Sequence, residues 1–172
     1  HTTDEWRAAY DAGVFTEFME QRAPGHTVLG DKIYHRGMDD FRADIRRSIE
    51  ALDWDADPEA FDKFEELRAM DICAEAIVLY ARRHAELAEA MAESCESPAR
   101  AQELRSIAEI CRRVPAHAPQ TFHEALQAYW FCHLGVITEL NTWDSFCPGR
   151  LDQHLWPFYE KDIREGTLTV EG

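Results

Sequence analysis

The sequence has few of the features that mark disulfide-linked, metal-binding or nucleotide-binding proteins. Its five cysteines, an odd number, include no Cys-x-x-Cys pair, which argues against a disulfide framework and against a zinc site. It contains no His-x-x-x-His or Glu-x-x-His spacing, no Gly-x-Gly-x-x-Gly and no phosphate-binding loop. We therefore expect reduced thiols, no bound metal and no backbone cradle for a nucleotide.

Positive charge and long apolar runs are also scarce. The chain has 18 Lys and Arg against 33 Asp and Glu, a formal net charge of −15, which disfavours nucleic acid and anionic membranes as partners. The longest apolar run, residues 125–137, is interrupted by Gln127 and His133 and is too short to span a bilayer. With no signal-peptide pattern at its start, we expect a soluble cytoplasmic protein.

Helical periodicity dominates what is present, and no segment reads convincingly as a strand. Apolar residues share one face over residues 4–20, and a segment with three glycines (22–37) then breaks the period. Further helices are predicted over 38–52, from Pro58 to about Ser94, over 98–114 and over 121–140. A last helix is expected to start at Pro148, to be interrupted by Pro157 and to end at Gly166.

Three helix starts carry capping residues. Asp57 precedes Pro58, Ser97 precedes Pro98, and Thr121 with Glu124 forms a capping box. The long helix is expected to bury its large apolar residues, which are Phe61, Phe64, Leu67, Ile72, Ile77, Val78 and Leu79. The helix over 121–140 is apolar on most sides, so it calls for a partner layer that the rest of this chain does not provide.

The stretch "NTWDSFCPGR" (141–150) is unusually rich in reactive groups for a turn. Asp144 can orient a hydroxyl or an ammonium group, and Ser145 can donate to a carboxylate. The alternative is local capping, in which either residue accepts from the first N–H groups of the next helix. Cys147 can be a nucleophile, but a lone cysteine without a placed base is more often a small core residue.

A second candidate is "RAPGHT" (22–27), where Arg22 and His26 are four residues apart in an irregular loop. Such a loop can aim both side chains at a small anionic or hydroxylated ligand. The alternative is a structural turn in which His26 bonds the backbone.

Taken together, "RAPGHTVLGDKIYHRGMDD" (22–40), "VPAHAPQTFHEALQAYWFCHL" (114–134) and "PGRLDQHLWPFY" (148–159) resemble the pyruvate formate-lyase-like glycyl radical enzymes. The resemblance runs over nearly the whole chain. It is nearest to the dehydratase and lyase branch, which includes hydroxyproline, glycerol and propanediol dehydratases. The resemblance implies that this mainly α chain is the helical N-terminal portion of a ten-stranded α/β barrel, a single partial domain over 1–172.

The resemblance also implies roles for residues. In that family the RAPGHT loop and the segment before PGRxDQ line the substrate pocket. His26, Asp144 and Ser145 are therefore the first candidates for substrate contact, with Arg22 and Trp143 as weaker ones. Glycerol dehydratases carry a His-Ser pair where this chain has Asp144-Ser145. That difference favours a substrate with a cationic or hydroxyl group, such as an amino acid or hydroxyproline, over a plain diol.

The family's chemistry uses a glycyl radical that a separate activase installs with S-adenosylmethionine and an iron–sulfur cluster. It needs a Gly-Cys-x-Glu loop and a late Arg-Val-x-Gly-Tyr loop, and neither occurs in this sequence. The resemblance thus implies a homodimeric parent enzyme that continues beyond this chain, and a chain that is inactive alone. Formate C-acetyltransferase or arylacetate decarboxylase activity is the enzymatic alternative. A non-catalytic helical interaction module is the alternative of another class.

Overall fold

The computed structural model describes residues 3–14, 29–139 and 148–170, and within those ranges every regular element is helical. The mainly α prediction is thereby confirmed. The elements are α1 (Asp4–Asp11), a 3-10 turn (Lys32–Tyr34), α2 (Met38–Glu50), α3 (Ala60–Glu93), α4 (Pro98–Arg113), α5 (Phe122–Glu139) and α6 (Leu151–Glu165).

Helices α3 and α4 form an antiparallel hairpin whose seam is made mainly of alanine. The buried residues in the second half of α3 recur every three or four positions, and the buried residues of α4 have the same spacing. Small side chains let two helix backbones approach closely, so the pair packs along most of the length of α4. Ala81, Ala85 and Ala88 of α3 share one buried cluster with Ala108 and Cys111 of α4. Ala74 and Val78 of α3 belong to a second buried cluster, with Tyr34, Met38 and Cys132.

This seam corrects the expected core of the long helix. Val78 is buried as expected, but Phe61 is 63% exposed, Ile72 60% and Leu79 46%. The prediction ranked residues by hydrophobicity, whereas close helix packing selects residues by size. Where α3 meets α4, alanines occupy the contact face, so Leu79 stays outside.

Helix α2 is held against α3 and against the loop after α4. Arg42 donates to both carboxylate oxygens of Asp71, at 2.7 and 3.3 Å, and this pairing lowers the pKa of Asp71 below its usual range. The first N–H groups of α2 donate to loop carbonyls, Met38 N to Pro115 O at 2.8 Å and Asp39 N to Ala116 O at 3.0 Å. These bonds satisfy two of the donors that a helix N-terminus leaves unpaired.

Three side chains, those of Thr121, Glu124 and Asp162, accept hydrogen bonds at the N-terminus of α5. Thr121 Oγ1 accepts from Glu124 N–H at 3.2 Å, and the Glu124 carboxylate accepts from Gln120 N–H at 2.7 Å and from Arg113 Nε at 3.1 Å. Asp162 of α6, itself 5% exposed, accepts from Phe122 N–H at 2.8 Å. The predicted capping box is thus present, with the glutamate reaching one residue further back than expected.

Several helix boundaries differ from the prediction. Helix α1 ends at Asp11, before Gly13 adopts a positive φ of 70°, so the helix expected over 4–20 is interrupted there. Residues 15–20 of that prediction lie outside the described residues. Helix α3 begins at Ala60 rather than Pro58, although the Asp57 carboxylate still accepts from Glu59 N–H.

Helix α6 begins at Leu151 rather than Pro148 and does not stop at Pro157. Pro157 has no N–H to donate to the Gln153 carbonyl. Because both residues are exposed, water can donate to this carbonyl instead, and the helix continues. Gly166, at a φ of 71°, ends it as predicted. None of the helices in the described part of the chain has the length and apolar content that crossing a membrane requires.

Candidate functional site

The five residues expected to contact substrate lie outside the described residues. Arg22 and His26 fall between residues 14 and 29, and Trp143, Asp144 and Ser145 fall between residues 139 and 148. Their roles stay predictions. The structure does describe the elements that flank both segments: the 3-10 turn follows the first, and α5 and α6 bracket the second.

The flanking elements meet in one apolar cluster. Tyr34, at the end of the 3-10 turn, is 3% exposed and stacks on His154 in the first turn of α6, with ring centroids 5.2 Å apart. Its ring also meets Phe158 at 6.4 Å, and Cys132 of α5 belongs to the same cluster. The described elements next to the two candidate segments therefore share one packed cluster.

The hydroxyl of Tyr34 is buried and has no hydrogen-bond partner within the described ranges. Leaving a buried hydroxyl unpaired costs about 1–3 kcal/mol. Burial is the main cause that raises the pKa of Tyr34 to about 12, with nearby Tyr129 and Cys132 adding to it. At neutral pH the phenol is consequently protonated and available as a donor.

The buried thiols of this region are unsuited to nucleophilic chemistry. Cys132 has no exposed surface, and burial raises its pKa to about 12. Burial also raises the pKa of Cys111 in the α3–α4 seam. A thiol that stays protonated is a poor nucleophile, so both cysteines serve as small apolar packing residues. Cys147 lies outside the described residues.

Two grooves in the described part are lined mainly by apolar side chains. One, about 410 Å³, runs between α2 and α3 beside Phe41, Met70 and Ile77. Another, about 240 Å³, lies between α3, α4 and α5 beside Leu87, Met91 and Trp130. No group of three metal-binding side chains occurs in residues 3–14, 29–139 or 148–170. The linings of these two grooves are suited to apolar contact.

Sequence reasoning missed two residues that the structure makes prominent. Tyr34 lies within a quoted motif but carried no separate signal, because an aromatic residue in an irregular segment does not reveal its burial. Asp162 had the pattern of an exposed helical acid, and its role as a cap for α5 depends on a contact 40 residues away.

The chain matches a protein family over its full length and several characterised proteins over most of it. The profile of the family described as "Pyruvate formate lyase-like" matches residues 1–172. The chain is 55% identical over 166 residues to trans-4-hydroxy-L-proline dehydratase of Clostridioides difficile, covering 96% of this chain and 21% of that protein. It is 40% identical over 141 residues to isethionate sulfite-lyase of Nitratidesulfovibrio vulgaris, covering 82% of this chain and 17% of that protein.

Solved structures agree with the sequence comparison. The crystal structure of the Clostridioides difficile hydroxyproline dehydratase, with trans-4-hydroxy-L-proline bound, superposes with a TM-score of 0.86 at 54% identity, covering 98% of this chain and 21% of that one. A glycyl radical enzyme from Archaeoglobus fulgidus gives a TM-score of 0.78 at 37% identity, covering 88% and 19%. The chain thus spans about a fifth of the length of the relatives that it matches.

Proposed function

The chain belongs to the pyruvate formate lyase-like family of glycyl radical enzymes, and on that basis we propose that the complete protein dehydrates trans-4-hydroxy-L-proline. One observation carries the proposal: 55% identity to a trans-4-hydroxy-L-proline dehydratase, which extends over 96% of this chain. The other reported relatives are 37–40% identical, so the substrate of the most similar of these proteins is the best starting hypothesis.

The proposed contribution of this chain is to bind and orient the substrate. Asp144 pairs with the ammonium or hydroxyl group of an amino acid, and Ser145 donates to its carboxylate. His26 and Arg22 approach from the RAPGHT loop, and Trp143 supplies an apolar wall. A carboxylate at position 144 suits a cationic amino group better than it suits an uncharged diol.

The chemistry itself belongs to parts of the protein that this chain does not include. A glycyl radical supplies hydrogen-atom abstraction, and neither its glycine loop nor the Gly-Cys-x-Glu loop occurs in these 172 residues. We propose that a radical S-adenosylmethionine activase with an iron–sulfur cluster installs the radical, that the complete protein is a homodimer, and that this partial domain alone is inactive. Abstraction requires thiol, glycine and substrate within contact distance, so positioning supplies much of the rate.

The test is turnover by the complete protein, activated anaerobically by its activase. Electron paramagnetic resonance first establishes that the radical has formed, and mass spectrometry then follows the loss of one water from trans-4-hydroxy-L-proline. A protein that carries the radical yet leaves hydroxyproline unchanged would rule out this substrate. Isethionate is the comparison substrate, because the 40% identity to isethionate sulfite-lyase favours C–S cleavage as the second candidate.

Asp144→Ala in the complete protein tests the proposed contact. We expect KM to rise at least tenfold, or turnover to be lost, because a charge-assisted contact contributes on the order of 1.5–3 kcal/mol. The radical signal should stay at the wild-type level. Arg150→Ala, a change just outside the segment, is the matched control. Unchanged kinetics in the Asp144 variant would remove this residue from the pocket.

A further inference from the structure

Helix α3 carries a second apolar face, on the side opposite the alanines that pack against α4. Ile72 is 60% exposed and Leu79 46%, and Ala76 between them is also exposed. At about 3.6 residues per turn, these three side chains point away from Ala81 and Ala85, which lie in the α3–α4 cluster. In the described part of the chain this second face is therefore open to solvent.

Two charged residues lie on the same face, at equal distances from its middle. Glu65 and Arg83 are both exposed and are 18 residues apart, which is about five turns of helix, so both point in the direction of Ile72. Arg68 Nη1 donates to the Glu65 carboxylate at 2.9 Å, but an exposed pair of this kind holds its partners only weakly. The outward face of α3 is thus formed by Glu65, Ala69, Ile72, Ala76, Leu79 and Arg83.

The order of residues along the outward face is complementary to itself in the reverse direction. When two copies of α3 lie antiparallel, with a two-fold axis near position 74, opposite charges face each other and each large side chain faces an alanine. The facing pairs are Glu65 with Arg83, Leu79 with Ala69, and Ile72 with Ala76. The axis forms each pair twice, as in any isologous interface. A parallel pair in register would instead oppose like charges, which is unfavourable.

We propose that the outward face of α3 binds the same face of a second copy of this chain, with the two helices antiparallel. The pairing of large with small residues lets the helices approach closely, and the two Glu65–Arg83 pairs fix their register. A face that an unrelated segment covers needs no such symmetry of charge and size, which favours a second copy as the occupant. The proposal rests on the homodimer proposed above and is independent of the substrate.

Charge reversal in the complete protein tests the register. Arg83→Glu should raise the dissociation constant of the dimer at least tenfold in sedimentation velocity, because each Glu65 would then face a glutamate. Glu65→Arg together with Arg83→Glu exchanges the two charges, restores the pairing and should return the dissociation constant to the wild-type range. Arg105→Glu, which reverses an exposed arginine on α4, is the matched control and should leave the constant unchanged.

A disulfide tests the same contact without depending on the strength of the dimer. Positions 65 and 83 are about 27 Å apart along one helix, so a bond between them can join only two different copies. In the complete protein with Glu65→Cys and Arg83→Cys, mild oxidation should give a covalent dimer, and mass spectrometry should find the peptides around positions 65 and 83 linked.

The outcomes separate the interface from the other proposals. A wild-type protein that sediments as a monomer would overturn the homodimer and this interface together, and turnover of hydroxyproline would still be judged separately. A dimer that Arg83→Glu leaves intact and that gives no link between positions 65 and 83 has its interface elsewhere. Loss of the dimer in Arg83→Glu without recovery after the charge exchange would also overturn the pairing. Where the dimer is too tight for its dissociation constant to be measured, the disulfide decides.

Discussion

At the scale of single residues, Gly37 shows how a missing side chain sets the start of a helix. A Cβ at this position would lie 2.1 Å from Ala116 O and 2.4 Å from the Cα of His117. The close approach brings the Pro115 and Ala116 carbonyls within hydrogen-bond distance of the first N–H groups of α2. The glycine is thus required for contact rather than for an unusual φ, which is −93° here.

Gly37→Ala should destabilise the protein by about 3 kcal/mol, because backbone atoms cannot move aside as a flexible side chain can. Thermal unfolding of the complete protein measures the effect. Gly135→Ala is the control: its added Cβ would meet only side-chain atoms of Ile77, at 3.2 Å. That variant should change stability by less than about 1 kcal/mol. Equal melting temperatures for the two variants would contradict the proposed contact.

We expect the burial of Tyr34 and Cys132 to make the free energy of unfolding fall at alkaline pH. Burial raises the pKa of both groups to about 12, so the folded state keeps protons that the unfolded chain loses first. Their contribution is complete at neutral pH and declines as pH rises from about 9 towards 12. Urea unfolding at a series of pH values should show this decline.

Cys132→Ala should reduce the loss of stability at high pH. The cavity that this substitution leaves lowers the free energy of unfolding at every pH. Cys73→Ala, which changes an exposed cysteine, should leave the pH profile as it is. If the profiles of wild type and Cys132→Ala run parallel, the buried thiol is not a source of the pH dependence.

At the scale of elements, helix α5 depends on a cap that comes from another helix. Asp162 accepts from Phe122 N–H across 40 residues of sequence, and Lys161 donates to the Gln120 carbonyl at 2.9 Å. These two contacts fix where α6 lies against the start of α5. The other ends of the same two helices lie next to residues 140–147 in the sequence, so the cap fixes the two elements that flank this segment.

Asp162→Ala should lower the free energy of unfolding by about 1–3 kcal/mol, because it leaves the partly buried Phe122 N–H without its acceptor. Glu165→Ala is the control on the same helix, since its carboxylate is half exposed and lies 3.6 Å from Lys161. A surface pair of this kind contributes at most about 1 kcal/mol. Chemical denaturation that found both variants equally stable would show that the cap is dispensable.

Helix positions could be predicted from the sequence because capping signals are local. Ser97 accepts from Arg100 N–H, Thr121 accepts from Glu124 N–H, and Gly166 ends α6. The core could not be predicted in the same way. Alanine carries little hydrophobic signal, so a seam built from it is visible only once two helices are paired. The candidate pocket was identified from resemblance and residue chemistry, and its five residues lie outside the described part.

At the scale of the whole molecule, large apolar side chains remain uncovered. Helix α5 was expected to be buried on most sides, yet Trp130 is 48% exposed and Leu126 40%, and on α3 Leu87 is 56% exposed. Contiguous exposed apolar surface of this kind marks an interface. The relatives are about five times longer than this chain, and in a protein of that length other segments can cover such a surface.

The 172-residue chain on its own should therefore bind a hydrophobic dye and self-associate, whereas the complete protein should not bind the dye. Replacing Leu126 and Trp130 together with glutamine should lower dye fluorescence of the isolated chain at least twofold. Arg100→Gln and Glu103→Gln, which change an exposed surface pair on α4, serve as controls. If the isolated chain is monodisperse and does not increase the fluorescence of the dye, the result favours a stand-alone interaction module.

The alanine seam also bears on the order in which the molecule is assembled during synthesis. Residues 60–113 form a hairpin of two helices joined by a four-residue connection, so its contacts pair neighbours along the chain. Structures dominated by such short-range pairings assemble quickly and need no distant segment. The hairpin can therefore close as soon as it has emerged from the ribosome, before α5 and α6 are made. The segments that follow can then pack against the folded hairpin.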